Sequence, residues 1–274
     1  MVYDKNGRPL VKDFTEDISK LEDSISELTG GESFSREPKR YNVLQYNIGN
    51  FGNGYNGNDL TGYIADWATF IGKCNADICL FSESRKFIDR GDSIESMTAL
   101  YTKLYPYASK YGNINVPWEV AMLTNVEQAN LDMGLFVNQQ NSLSKYIAGE
   151  ITLNGVDILL MSVHLVHGGS AATEVRYLQM QKLIDMASDY DNVIIGGDFN
   201  TQDITEMNKM VEAGFTIGNG GLFNVFLTQE PPTPEYPVDN VCIKGDKIKF
   251  QSFKALYDCA LSDHYPTLST LLIG

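Results

Sequence analysis

Short apolar runs that each stop at a polar side chain recur along this sequence, and they constrain its fold more than any other feature. Tyr41–Ile48 reads as a strand ending around Asn47, and Ala76–Phe81 as a short buried strand with Glu83 just beyond it. Asp157–His164 is apolar up to its last residue, and Asn192–Gly196 leads into Gly196-Gly197-Asp198-Phe199-Asn200. Asp59–Cys74, Ala172–Ser188 and Ile204–Ala213 carry apolar residues at helical spacing. Glu119–Thr124 and Ser144–Leu153 are further strands, and the turn Leu153-Asn154-Gly155 marks a hairpin. Val238–Ile243, Ile248–Leu256 and Thr267–Leu272 close the chain. Strands and helices alternate, but hairpins interrupt the alternation, so a purely parallel sheet does not fit. The order suits a four-layered α/β sandwich, two packed mixed sheets flanked by helices.

Residues 1–40 read differently from the rest. Phe14, Ile18, Leu21, Ile25 and Leu28 form a two-heptad apolar seam, with Asp13 and Glu16 spaced as a capping box and Gly30-Gly31 as a stop. This predicts an amphipathic helix and linker ahead of a catalytic domain at 41–274. The helix either lies on its own domain or serves oligomerisation or docking.

Composition narrows the functional classes. No apolar run reaches the eighteen or more residues of a membrane helix, and the start MVYDKNGRPLVKD lacks a secretory signal's apolar stretch. A soluble chain is expected, cytoplasmic or exported without a classical signal. Cys74, Cys79, Cys242 and Cys259 lack the spacing of a zinc or redox site, so reduced thiols are expected. The net charge of −14 opposes tight sequence-independent nucleic-acid binding, which depends on cations neutralising phosphates. A bound metal, or the local group Arg85, Lys86 and Arg90, would still steer a phosphate.

Taken singly, the strand-end residues have structural readings. Asn47 would be a turn residue, Glu83 a solvated acid and His164 a hydrogen-bonded strand-end histidine. Asp198 and Asn200, two apart, would project to one side if the strand continued extended, and the paired glycines would allow a tight turn or close approach. Together, each at a strand terminus, they suit one shared mouth of the sandwich.

The ordered set Tyr41–Ile48 ending in YNI, Ser82-Glu83, His164-Leu165, Gly197–Asn200 as GDFN, Val238–Val241 as VDNV and Ser262–Pro266 as SDHYP resembles the endonuclease/exonuclease/phosphatase superfamily. The likeness spans residues 41 to 272. A histidine in the HL motif is similar to deoxyribonuclease I, neutral sphingomyelinases and inositol polyphosphate phosphatases, and unlike apurinic-site endonucleases. The segment Tyr46–Gly52 is also similar to the start of deoxyribonuclease I.

The resemblance implies a Mg²⁺ site, with Mn²⁺ or Ca²⁺ as alternatives, at Glu83 helped by Asn47 and Asp263. It implies His264 as general acid or base oriented by Asp239, and His164 on the scissile phosphate paired with Glu119. Asp198 and Asn200 would position the attacking water, while Arg176 and Gln179 would face substrate or form a salt-bridged helix surface. Ser82 stands where the family usually has Gln, Gly49 replaces an acid of the apurinic-site enzymes, and His167 matches no motif and reads as a loop histidine. The expected activity is phosphodiester hydrolysis on DNA. A lipid or inositol phosphohydrolase is the alternative, with GGLFNVFLTQEPPTPEYP as either a membrane-touching segment or core and linker. A non-catalytic attachment or scaffold module is the third reading, which the full acid, amide and histidine set opposes.

Overall fold

The computed structural model describes residues 36–49, 69–84, 120–136, 144–201, 203–220, 226–229, 236–259 and 261–274, with the backbone of 2–3, 9–10 and 107–108. Met1–Ser33 and Phe34–Gly274 are two compact units. In the first, β1 (Val2–Tyr3) pairs antiparallel with β2 (Pro9–Leu10). The helix expected over Phe14–Leu28 lies outside the described residues, as do Glu119, Arg85, Lys86 and Arg90.

The second unit contains two six-stranded mixed sheets. One holds β3 (Lys39–Asn47), β4 (Ile78–Ser82), β5 (Tyr107–Ala108), β6 (Val120–Thr124), β13 (Ile248–Ala255) and β14 (Thr267–Ile273), in the order β13-β14-β3-β4-β6-β5. The other holds β7 (Ala129–Leu135), β8 (Lys145–Leu153), β9 (Val156–His164), β10 (Val193–Asp198), β11 (Thr216–Ile217) and β12 (Asp239–Lys244), in the order β11-β12-β10-β9-β8-β7. The sheets stack with β4 on β9, and β3 on β10 and β12.

Period-two alternation sorts each strand into two rows of side chains. In β9 and β10, Leu159, Met161, Val163, Val193 and Ile195 face outward, where Met180 and Leu183 of α1 (Thr173–Met186) and Met207 and Met210 of α2 (Ile204–Glu212) cover them. In β3 and β4, Leu44, Tyr46, Cys79 and Phe81 face the opposite layer, which includes Ile71 of the helical segment at 69–74. The remaining row of each strand lies between the sheets. There Ser162 Oγ donates to Phe81 O at 3.2 Å and Ser82 Oγ donates to Val163 O at 3.0 Å. Register is therefore strongly specified. A one-residue slip of β9 would place Ser162 and His164 beneath the helices, leaving buried polar groups unpaired at a cost of about 1–3 kcal/mol each.

These layers are the sandwich the sequence predicts. At the expected hairpin, Asn154 (φ 51°) and Gly155 (φ 73°) make the two-residue turn between β8 and β9. Asn154 Nδ2 also donates to Glu37 O and Ile273 O, at 3.0 and 2.9 Å, tying both sheets together at that end. Strand β10 runs two residues past its expected end because Gly197 permits it. A Cβ there would lie 2.0 Å from Val163 O on the neighbouring strand. Strand β7 was not expected: ANLDMGL lacks alternation and is largely exposed, a sheet-edge strand with a register shift. All four cysteines are free. Among the described residues, no helix is long and apolar enough to cross a membrane.

Candidate active site

Strand direction decides where the polar ends meet. Strands β3 and β4 run parallel, as do β9 and β10, so their carboxyl ends emerge at one end of the sandwich. Strand β12 is antiparallel to β10 and begins there, and β14 is antiparallel to β3 and is preceded there by Asp263 and His264. Register then aligns the between-sheet row: Lys145 opposite His164, His164 opposite Asp198, and Asp198 opposite Asp239. Asn47 pairs with Ser82 on the facing sheet. Grooves beyond the carboxyl ends of strands are where α/β sheets commonly bind ligands.

Hydrogen bonds join these residues into one network. His264 Nδ1 lies 2.6 Å from Asp239 Oδ2, and Gln45 Nε2 donates to Asp239 Oδ1 at 2.8 Å. Asn47 Nδ2 donates to Asp198 Oδ2 at 3.0 Å and to Glu83 Oε1 at 3.2 Å, and lies 3.4 Å from His264 Nε2. Asp198 Oδ2 is 3.6 Å from His164 Nε2 and 3.9 Å from His264 Nε2. Glu83 is half-buried at φ 52°, a left-handed conformation that costs a non-glycine residue about 1–2 kcal/mol. Asp263 is exposed beside this cluster and accepts from Ser262 Oγ at 3.1 Å.

Burial and neighbouring charge separate the titrating groups. For His264, burial favours the neutral ring, but the charge and hydrogen bond of Asp239, followed by Asp198, outweigh it and raise the pKa to about 10. His164 moves the other way: burial lowers its pKa more than the nearby Asp198 raises it. Burial, then the charge of Asp239, pushes Asp198 up to about 6. Glu83 is also raised, first by burial, and Asp263 and Asp239 add to the shift against its hydrogen bond from Asn47. One histidine is thus held protonated and the other neutral, facing a carboxylate that titrates near neutral pH.

No family model matches the chain, and no curated protein matches it. Among solved structures, D. rerio TDP2 complexed with single strand DNA product aligns with a TM-score of 0.67 at 14% identity, covering 85% of this chain and 99% of that one. SmcL aligns with a TM-score of 0.65 at 15% identity, covering 86% and 99%. An endonuclease/exonuclease/phosphatase family protein from Bacteroides thetaiotaomicron aligns with a TM-score of 0.66 at 14% identity, covering 86% and 99%. The chain shares the fold of these three proteins.

Within this fold, the structure gathers Asn47, Glu83, His164, Asp198, Asn200, Asp239, Asp263 and His264 at one mouth. Three expectations change in detail. Asn200 does not continue an extended strand. At φ 52° it turns back, so that its backbone N donates to Asp198 Oδ1 at 2.8 Å and its Nδ2 to Leu165 O at 3.0 Å. Asn47 offers its amide nitrogen to the acids, while its Oδ1 accepts from Gly49 N at 3.1 Å.

Arg176 and Gln179 are buried rather than turned to a substrate, and of the two readings the salt bridge holds for Arg176. Arg176 binds Glu206 and the carbonyls of Val166 and Gly169, and Gln179 Oε1 accepts from Val166 N at 2.9 Å. Both residues hold the loop after His164, because apolar packing of α1 onto β9 turns this helix face inward. His167 is exposed on that loop.

The sequence reading missed Gln45, Lys145 and Thr228. Gln45 and Lys145 share the inward parity of Asn47 and His164, a signal present in the strand pattern. Thr228 gave no such signal. It sits in the segment read as membrane-touching or as core and linker, and it is buried against the site, accepting from Asp239 N at 3.2 Å through its hydroxyl and from Tyr265 N at 2.6 Å through its carbonyl.

Proposed function

We propose that this chain is a divalent-metal-dependent phosphodiesterase and read it as a DNase-like nuclease. The observation that carries this reading is the His264–Asp239 pair at 2.6 Å, set within 3.9 Å of Asp198 and joined through Asn47 to Glu83.

A cation fits the acidic side of the mouth. Glu83 is already raised by burial and by Asp263 and Asp239, and a positive charge would relieve that repulsion. Glu83 and Asp263 would hold Mg²⁺, Mn²⁺ or Ca²⁺, with Asn47 contributing only through Oδ1. Asp198, Asp239 and His264 also offer ligand atoms within 4.8 Å of one another. Asp239 is the weaker choice, because His264 and Gln45 occupy both of its oxygens and His264 is held protonated. A metal bound there polarises a phosphate and offsets charge on the leaving oxygen.

The protein's own groups divide the remaining work. Asp198 accepts the proton of the attacking water as the oxygen–phosphorus bond forms. The Asn200 backbone N–H fixes that carboxylate. Asp239 orients His264, whose Nε2 faces Asp198 and carries positive charge toward the phosphoryl oxygens. Neutral His164 contacts the phosphate from the other side of Asp198. The bond to the leaving oxygen breaks, and that oxygen takes its proton from solvent.

The nuclease reading draws on the likeness to a TDP2 described with a single strand DNA product. The test is hydrolysis of bis(p-nitrophenyl) phosphate and nicking of supercoiled plasmid, with choline release from sphingomyelin measured alongside. Activity that needs added metal and falls with EDTA and with Glu83→Ala supports the enzyme. Hydrolysis untouched by both removes it, and choline release without nicking moves the substrate to a phospholipid.

A further inference from the structure

Among the groups the mechanism leaves unused, one lies wholly inside the sandwich and touches the Asp239–His264 pair. Gln45 is fully buried on β3, two residues before Asn47 and on the same inward row. Its Nε2 crosses to the other sheet and donates to Asp239 Oδ1 at 2.8 Å. Its Oε1 accepts from Thr267 Oγ1 at 3.1 Å, and Thr267 is its register partner on β14. Asp239 Oδ2 is then left to His264 Nδ1 at 2.6 Å. The chain Thr267–Gln45–Asp239–His264 therefore runs from one sheet to the other and back, since His264 precedes β14.

We propose that Gln45 is a positioning residue, which with Thr267 fixes the Asp239 carboxylate so that one oxygen meets His264 in a single orientation. The inference rests on the phosphodiesterase reading for its kinetic consequence but not for its geometry. A carboxylate accepts only, so the amide must turn its nitrogen to Asp239 and its oxygen outward, and the Thr267 hydroxyl holds it that way round. The Thr228 hydroxyl, accepting from Asp239 N at 3.2 Å, fixes the backbone beneath. With no amide at position 45, Asp239 Oδ1 would lose its donor in a water-excluded site, and the carboxylate would be free to rotate away from the ring. Gln45 touches no reacting group, so its effect passes entirely through Asp239.

Gln45→Met keeps the length of the side chain and removes the amide. The expected result on bis(p-nitrophenyl) phosphate is a kcat lower by about 10- to 100-fold with KM little changed, the usual range for a lost supporting hydrogen bond. In an Asp239→Asn background the same substitution should add nothing. Thr267→Val, which leaves Gln45 in place, should lower kcat in the same direction by less, and it carries the test if Gln45→Met does not fold. The low-field proton of His264 Nδ1, identified by its absence in His264→Gln, should shift in both variants. A normal kcat in Gln45→Met, an equal loss in both backgrounds, or an unmoved resonance overturns the proposal. Should the wild-type chain hydrolyse no phosphodiester, the enzymatic reading falls by itself, and the resonance still decides the role of Gln45.

Discussion

The guanidinium of Arg176 meets the carboxylate of Glu206 through two bonds, Nε to Oε2 at 2.6 Å and Nη2 to Oε1 at 2.8 Å, with both side chains buried. The pair joins α1 to α2. Thr173 Oγ1 adds a bond to Glu206 at 2.7 Å, and Arg176 Nη2 donates to Gly169 O at 2.6 Å. The clamped loop begins at Leu165, whose carbonyl holds Asn200.

Breaking one side of this pair leaves a buried charge without its partner. Glu206→Gln or Arg176→Ala should destabilise the protein by about 3–5 kcal/mol, read as a lower midpoint in urea unfolding. For Arg176→Ala, KM of the protein that remains folded should stay near wild type, because the guanidinium does not face the mouth. A raised KM with an unchanged midpoint would restore Arg176 as a substrate contact.

His264 predicts how stability follows pH when metal is withheld. Its folded pKa, about 10, lies above the ordinary 6.5, so the stabilisation is complete below pH 6.5 and is lost as pH rises through about 10. In EDTA, the urea midpoint of the wild-type protein should decline across that window. Asp239→Asn removes the main charge that raises the pKa, and the decline should flatten. A wild-type midpoint that rises over the same range would contradict the charge assignment.

On the proposed mechanism, His164 contacts the phosphate where charge develops in the transition state. Replacing it with alanine should cost about 10²–10³ in kcat, or roughly 3–4 kcal/mol of barrier, with the metal dependence unaltered. Glu83→Ala should instead raise the metal concentration needed for half-maximal rate. Titration of rate against Mg²⁺ separates the two behaviours.

Gly197 tests the packing that brings β10 to the site. A methyl group there would lie 2.0 Å from Val163 O, a backbone atom that can move only with its strand. Gly197→Ala should cost about 3 kcal/mol or more and reduce soluble yield. Gly214→Ala is the control: nothing lies within 4 Å of its Cβ position, so only its φ of 88° is strained.

The strand ends were legible because each is written locally, as an apolar run that stops at Asn47, Glu83, His164 or Asp198. The motif order gave the mouth before any geometry. The sequence leaves Arg176 between a substrate contact and a salt bridge, because a helix pattern reports periodicity and not which neighbour an arginine meets. Glu206, thirty residues on, turns it inward. Asn200 would share a side with Asp198 only if the strand stayed extended, and its left-handed turn follows from the bonds it makes to Asp198 and Leu165. Strand β7 escaped notice because an exposed edge strand needs no apolar alternation.

The Asp239–His264 pair is split between the halves of the sandwich. Asp239 begins a strand of one sheet, and His264 precedes a strand of the other. Neither half alone can hold a charged imidazole against its acid, so the constellation comes into being only when the two halves close on each other. Catalytic competence would then be among the last properties the folding chain acquires and among the first it surrenders, which makes turnover a sensitive gauge of whether the whole molecule is intact.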